Sequence, residues 1–411
     1  MGGDPVSALT NSAPAPAGPR PLRVLHVITR MIVGGAQENT MLSCALIDRT
    51  QFPSEILCGS QTGSEGELIT ECRARGVTVH IEPTMVRQLD PVRDVIAFFR
   101  LTALLRRERY DIVHVHTSKA GIVGRFAAAA AGTPVIIHTA HGWSFSADQP
   151  ALVRQLYIFF ERWCARLSHA IVVVARPDQV DALALGVGHA GDYHLIRSGI
   201  EIDAFRDVPL TVAQARERIG VPADAFVVGT VGRLSHQKAP LDLLAAFVPV
   251  ARTHPHAHLV FVGDGPLRPE VEAAIRAAGL EERVHLLGLR RDVPELLRSF
   301  DVMALASRWE GLPRVFPQAM AAGLPIVATR IAGAVDAIVP GENGWLVELD
   351  DIPDFTRRLE SLALDPASAR RMGENGRARV DEFSARRMVD QIADLYRALA
   401  RARVPGYADP A

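Results

Sequence analysis

Short apolar runs punctuate the chain at regular intervals, separated by longer stretches in which apolar residues recur at helical spacing. The first set is Val24–Thr29, Glu55–Cys58, Val77–Ile81, Ile112–Val115, Val135–His138 and Ile171–Val174. A second set starts at Phe226–Val231 and continues through Leu259–Val262, Val284–Leu287, Val302–Ala306, Ile326–Thr329 and Gly344–Val347. Strands buried on both faces need such short, almost wholly apolar runs, and their alternation with helices predicts parallel sheets built from βαβ units. The fold class is therefore α/β, with two Rossmann-like parallel-sheet domains: residues 21–202 and residues 203–384. The boundary falls in Ser198–Pro222, where a turn and a polar segment interrupt the alternation. Residues 385–411 hold a last helix, Ala385–Arg403, able to cross back onto the first domain, and a tail. Residues 1–20 are rich in Pro, Ala, Ser and Gly and lack an apolar signal core, which predicts a disordered extension.

Composition narrows the partners. The 411 residues carry a net charge of -1, which points away from nucleic acid. No apolar run approaches the ~18 residues of a membrane-spanning helix, so the expected location is cytoplasmic. Cys44, Cys58, Cys72 and Cys164 form no C-x-x-C pair and read as small apolar residues in a reducing compartment. Of 45 Lys and Arg residues only Lys119 and Lys238 are lysine, so a compact point charge at either place invites a reason.

In open parallel sheets, ligands gather beyond the carboxyl ends of the strands. Arg308–Thr329 lies between two buried strands and carries Glu310, Gly311, Leu312, Pro313 and Gln318. Glu310 and Gln318 are eight positions apart, about two helical turns, so both can face one crevice and take sugar hydroxyls. A loop acid before an ordinary amphipathic helix is the competing reading. Arg233 and Lys238 share the loop after Phe226–Val231, where two cations can hold a diphosphate; a solvated charged loop is the alternative. Gly263, Gly265 and Pro266 form a turn able to admit a base or phosphate, and Leu287 and Arg290 lie where backbone can border a nucleobase.

In the first domain, Gly34 and Gly35 follow the first strand without completing G-x-G-x-x-G, and let backbone approach a phosphate or sugar, with Gln37 beside them; a plain turn explains the pair as well. Thr117 or Ser118 is placed to cap a helix, with Lys119 next to it, where an acceptor or donor group approaches. His141, just past a strand end and before Gly142 and Trp143, can bond a sugar hydroxyl or assist a proton; a backbone-bonded structural histidine is the alternative. His114 and His116 read as structural, and no spacing marks a metal site.

Together these loops resemble glycosyltransferase family 4, retaining enzymes with the two-domain GT-B fold facing an interdomain cleft. The resemblance runs from about Arg23 to about Leu399 and rests on GGAQ at Gly34–Gln37, HGW at His141–Trp143 and SGIE at Ser198–Glu201. It also rests on GRLSHQK at Gly232–Lys238, GDGP at Gly263–Pro266, and the Glu310–Gln318 segment. It implies a nucleotide-sugar donor held mainly by the second domain, with Arg233 and Lys238 on the diphosphate and Glu310 on the sugar or leaving group. It places His141 near the donor sugar and Gly35 where the glycine loop approaches it. The family has a second glutamate where this chain has Gln318, and an amide gives ~0.5–1.5 kcal/mol where a carboxylate gives ~1.5–3.

Retention of configuration and front-face attack are likewise implied by the family. With no D-x-D triplet, the two cations take the place of a divalent ion, so no metal or cofactor is expected. Gln37, Thr117, Ser118, Lys119 and Trp143 are the expected acceptor side. Ala151–Leu167 interleaves Tyr157, Phe159, Phe160 and Trp163 with Arg154, Arg162 and Arg166, which suits an anionic membrane surface and a polyprenyl-diphosphate-linked acceptor. Core aromatics under a solvated arginine face are the plainer reading. Competing functions are a transferase for a soluble acceptor, a non-hydrolysing sugar-nucleotide epimerase, a NAD-dependent Rossmann enzyme and a non-catalytic sugar-nucleotide binder.

Overall fold

The computed structural model describes residues 20–61, 66–143, 145 and 150–409; the expected disorder of the N-terminal extension lies almost wholly outside them. The first sheet is made of β1 (Val24–Ile28), β2 (Ser54–Cys58), β3 (Thr78–Ile81), β4 (Ile112–His116), β5 (Val135–Ala140), β6 (Ala170–Val173) and β7 (Tyr193–Leu195). They lie in the order β3-β2-β1-β4-β5-β6-β7. The second sheet contains β8 (Phe226–Val231), β9 (Ala257–Val262), β10 (Val284–Leu286), β11 (Val302–Leu305), β12 (Ile326–Thr329) and β13 (Gly344–Val347), in the order β10-β9-β8-β11-β12-β13. All strand pairs are parallel. In both sheets the order reverses beside the first strand of the domain, and that reversal opens the crevice in which ligands bind.

β7 is the strand that the apolar pattern misses. It has three residues at a sheet edge, and its middle residue His194 is only partly covered, so it has no apolar run to betray it. Its pairing comes from β6, with Val172 beside His194.

The helix Ala385–Arg403 returns to the first domain. Met388, Val389, Ile392 and Tyr396 are buried against Val24, Ile112, Val135 and Val172 of the first sheet, and each such burial is worth roughly 1.5–3 kcal/mol. The chain thus crosses between domains twice, and the crossings lie side by side: Ile200 N donates to Phe383 O at 2.9 Å and Ala385 N to Ile200 O at 2.8 Å. Gly199 is required there, because a Cβ would sit 2.5 Å from Ala385 Cα. Among the described residues no helix is long and apolar enough to cross a membrane.

Candidate active site at the domain cleft

After β8 the chain passes through Gly232 and Arg233 into one turn of 3-10 helix, His236–Lys238, before the helix Pro240–Thr253. Arg233 is exposed. The Lys238 side chain folds back over Gly232, where a Cβ would stand 3.4 Å from Lys238 Cε, and its Nζ pairs with the Glu310 carboxylate. Neighbouring hydrogen bonds, one backbone and one from a side chain, hold the two loops in register: Arg308 N donates to Gln237 O at 2.8 Å, and Gln237 Nε2 donates to Trp309 O at 2.9 Å. Side chains of Lys238 and Glu310 are 21% and 13% exposed, so the pair is screened yet reachable.

The helix after this loop is Val315–Ala322, and Glu310 precedes it on irregular backbone. Glu310 and Gln318 are therefore not two turns apart on one helix, contrary to the spacing's expectation. The loop, with Pro313 O accepting from Phe316 N at 3.0 Å, decides where Glu310 stands. Gln318 is 9% exposed on the buried helix, and Leu312 is 7% exposed in the loop. Gly263, at φ 138, brings the next turn against the loop after β8: a Cβ there would fall 2.0 Å from Gly232 O, and one on Gly265 would fall 2.3 Å from Leu234 O. Gly263 N donates to Gly288 O at 2.8 Å, which joins the turn holding Pro266 to the loop between Leu287 and Arg290. Arg290 is held by Asp292 at 2.8 Å.

The first domain meets this surface through glycines. The backbone at Gly34 is extended, and Gly35 starts the helix Gly35–Leu46 with Arg314 Cδ 3.5 Å from its would-be Cβ. Arg314 also pairs with Glu38 on that helix. Gly142, at φ 108, would place a Cβ 3.0 Å from Gly311 N, and a Cβ on Gly311 would lie 2.7 Å from His141 O. Asp336 accepts from Arg176 N at 2.8 Å and from Arg197 Nη1 at 2.9 Å. His141 is half-buried, and burial, with the Arg314 charge second, pushes its pKa down to about 3. It is thus a neutral imidazole, able to bond a hydroxyl without presenting a cation.

The residues expected on the acceptor side are each committed to local structure. Thr117 occupies the cap position of the helix Ser118–Ala131 but does not cap it: at φ 61 its hydroxyl meets Thr29 Oγ1 at 2.9 Å. Thr29 supplies the cap instead, accepting from Ala120 N at 3.2 Å. Lys119 pairs with Asp94 at 2.5 Å and also donates to Gln88 O, so it ties down the chain before the helix Pro91–Glu108. Ser118 begins the helix, next to Thr117. Trp143 donates to Asp178 O at 2.8 Å and stacks on Phe145. Gln37 folds over Gly34, its Oε1 2.7 Å from a would-be Cβ.

No sequence pattern marks Arg314 and Asp336 as links between the domains, or groups His26, His114 and His116. Donor atoms of these three buried histidines lie within 4.8 Å of one another. No spacing motif could find them, because His26 lies on β1 beside His114 of β4.

Comparisons with known proteins agree with this architecture. A family model described as glycosyl transferases group 1 matches residues 212–379, and one described as glycosyl transferase 4-like domain matches residues 34–199. The chain is 30% identical over 389 residues to an Escherichia coli UDP-Gal:alpha-D-GlcNAc-diphosphoundecaprenol alpha-1,3-galactosyltransferase, covering 91% of this chain and 96% of that one. It is 30% identical to the putative glycosyltransferase EpsD of Bacillus subtilis, covering 75% and 82%. The structure of Anabaena HepE in complex with UDP and glucose superposes with a TM-score of 0.79 at 23% identity, covering 92% of this chain and 100% of that chain.

Proposed function

The chain belongs to glycosyltransferase family 4, with the GT-B fold, and from that premise we propose a specific reaction for it. It moves a hexosyl or N-acetylhexosaminyl group, with retention and without a metal ion, from a UDP-sugar to a hydroxyl of a polyprenyl-diphosphate-linked saccharide. The observation that carries this reading is the Lys238–Glu310 pair, with Lys238 on the loop with Arg233 at the strand ends and Glu310 next to the contact of Gly142 with Gly311. Lys238 and Arg233 bind the diphosphate and stabilise the charge that grows on it as the anomeric C–O bond breaks. Glu310, released from Lys238, holds sugar hydroxyls, and Gln318 accepts from the ribose. The acceptor oxygen attacks from the face the leaving group vacates, and its proton passes to the departing phosphate oxygen. His141 bonds a hydroxyl of the donor sugar as a neutral acceptor.

The UDP and lipid-linked parts rest on what the Escherichia coli relative's name states and on the UDP bound by HepE. The membrane part has support in the first domain. On the helix Ala151–Leu167, Leu152, Leu156, Phe159 and Trp163 are 48–83% exposed and spaced four, three and four residues apart, a single apolar stripe facing solvent. Val92, Val95 and Phe99 are exposed on Pro91–Glu108 as well, and both helices pack on Ser118–Ala131. Arginines flank the stripe, as at an anionic inner-leaflet surface.

The test incubates purified protein with UDP-galactose, UDP-glucose or UDP-N-acetylglucosamine and an N-acetylglucosaminyl-diphospho-polyprenol, in EDTA. An α-linked product from one donor is expected. A β-linked product would overturn retention, and activity lost in EDTA but restored by magnesium or manganese would overturn metal independence. Equal transfer to a water-soluble acceptor would remove the lipid carrier from the reading.

A further inference from the structure

A continuous chain of side chains runs from the returning helix to the cleft. Tyr396 Oη lies 2.7 Å from His114 Nδ1 and 3.3 Å from His26 Nε2. His26 Nδ1 lies 2.9 Å from His116 Nε2, and His116 Nδ1 lies 3.2 Å from His141 Nε2. His114 Nε2 closes the branch on Thr139 Oγ1 at 2.6 Å. Tyr396, His26, His114 and His116 are at most 1% exposed. Burial holds the three histidines well below the usual range, so each ring carries one N–H and one lone pair. Both nitrogens of His26, His114 and His116 thus have hydrogen-bond partners, and filling a metal site here would break those bonds.

In such a chain one donor direction sets all the others, and the lengths choose between the two directions. An O–H donor makes the shorter contact, about 2.7–2.8 Å, and an N–H donor the longer one. The two Tyr396 contacts, 2.7 Å and 3.3 Å, together assign the O–H to His114 Nδ1 and make Tyr396 Oη the acceptor from His26 Nε2–H; His114 Nε2–H is then left to donate to Thr139 Oγ1 at 2.6 Å, a short contact for an N–H donor. His26 Nδ1 then accepts from His116 Nε2–H, and His116 Nδ1 accepts from His141 Nε2–H.

We propose that Tyr396, His26 and His116 are positioning residues that hold His141 as its Nε2–H tautomer, leaving Nδ1 as the acceptor for a donor-sugar hydroxyl. This rests on the role given to His141 above, but the tautomer itself is readable without any substrate. Removing the Tyr396 hydroxyl leaves a His26 Nε2–H buried with no acceptor, which the fold disfavours. His26 then avoids that cost by moving its proton to Nδ1. The chain reverses, and His141 becomes Nδ1–H, a donor where an acceptor is needed.

The experiment labels the histidine rings with 15N and records long-range 1H–15N correlations of the ligand-free protein, assigning His141 by the signals lost in His141→Asn. Wild type is expected to show His141 as Nε2–H and Tyr396→Phe to show it as Nδ1–H. In Tyr396→Phe, kcat is expected to fall about tenfold with donor KM unchanged, less than the ~10²-fold or more of losing a catalytic proton donor outright. An Nδ1–H tautomer in wild type, or the same tautomer in both proteins, would overturn the relay. So would one tightly held equivalent of divalent metal found by elemental analysis. The wild-type spectrum alone decides the first half, even where Tyr396→Phe fails to fold. Unchanged activity in His141→Asn would instead remove the substrate role of His141 and leave the tautomer result standing.

Discussion

Arg314 of the second domain and Glu38 of the first form an ion pair across the cleft, with side chains 8% and 29% exposed, and the Arg314 stem lies against Gly35. The pair joins the glycine loop to the helix behind Glu310, so it holds the two halves of the site together. Burial on the arginine side makes it stronger than an exposed pair, whose worth is about 0–1 kcal/mol. Glu38→Gln is expected to lower kcat/KM for the nucleotide sugar about tenfold, or ~1.4 kcal/mol, with thermal stability little changed. Steady-state kinetics together with thermal melting reads both effects. Unaltered kinetics would mean that the domains meet without help from the pair.

The Lys238–Glu310 pair separates binding from chemistry. Lys238→Ala is expected to abolish the thermal shift produced by UDP, because the diphosphate loses its compact cation. Glu310→Gln is expected to keep UDP binding and lose about 10²–10³-fold in kcat, the range found when one preorganised electrostatic contact is removed. Full turnover in Glu310→Gln would dismiss the carboxylate from the reaction.

Stability should fall on mild acidification. His26, His114, His116 and His138 all have pKa values pushed down, chiefly by burial, His26 to about 3. As pH drops through about 6.5 the unfolded chain takes up protons that the folded chain refuses, so stability is full above that pH and lost below it. Each histidine costs roughly 1 kcal/mol by one pH unit below its unfolded value. Asp178 opposes this. Burial first, then Asp181 and Asp336, raise its pKa to about 7, so its contribution is present in acid and lost as pH rises through about 7. Urea denaturation at pH 7.5, 6.5 and 5.5 is expected to show falling stability, with a steeper fall in Asp178→Asn. A flat profile in both proteins would show that the histidines charge within the fold.

The apolar stripe predicts a membrane phenotype without a catalytic one. Leu156→Asp with Trp163→Asp is expected to abolish flotation with anionic liposomes and leave the UDP-induced thermal shift intact. The helix itself is secured from beneath, where Arg125 and Glu161 pair at 2.6 Å, both at most 3% exposed, so two exposed substitutions should not unfold it. Wild-type protein that stays wholly in the soluble fraction would sink the membrane reading.

The amino-acid sequence by itself determined the two-sheet architecture, because parallel strands buried on both faces need unbroken apolar runs and the intervening helices need their own period. It also placed Arg233, Lys238, Glu310 and His141 on loops at strand ends, since those loops are counted directly from the runs. What lay beyond it was whatever depends on chain segments far apart in sequence. β7 has too few apolar residues to stand out and owes its strand to β6. Thr117 looked like a cap because capping is local, but the hydroxyl of Thr29, just past the end of β1, took that task. Lys119 looked free until Asp94 was placed beside it. The line from Tyr396 to His141 draws one residue each from the returning helix, β1, β4 and the loop after β5. Parallel strand register aligned His26 with His114, and only the closed tertiary structure could set against them a tyrosine 282 positions from His114 and 370 from His26.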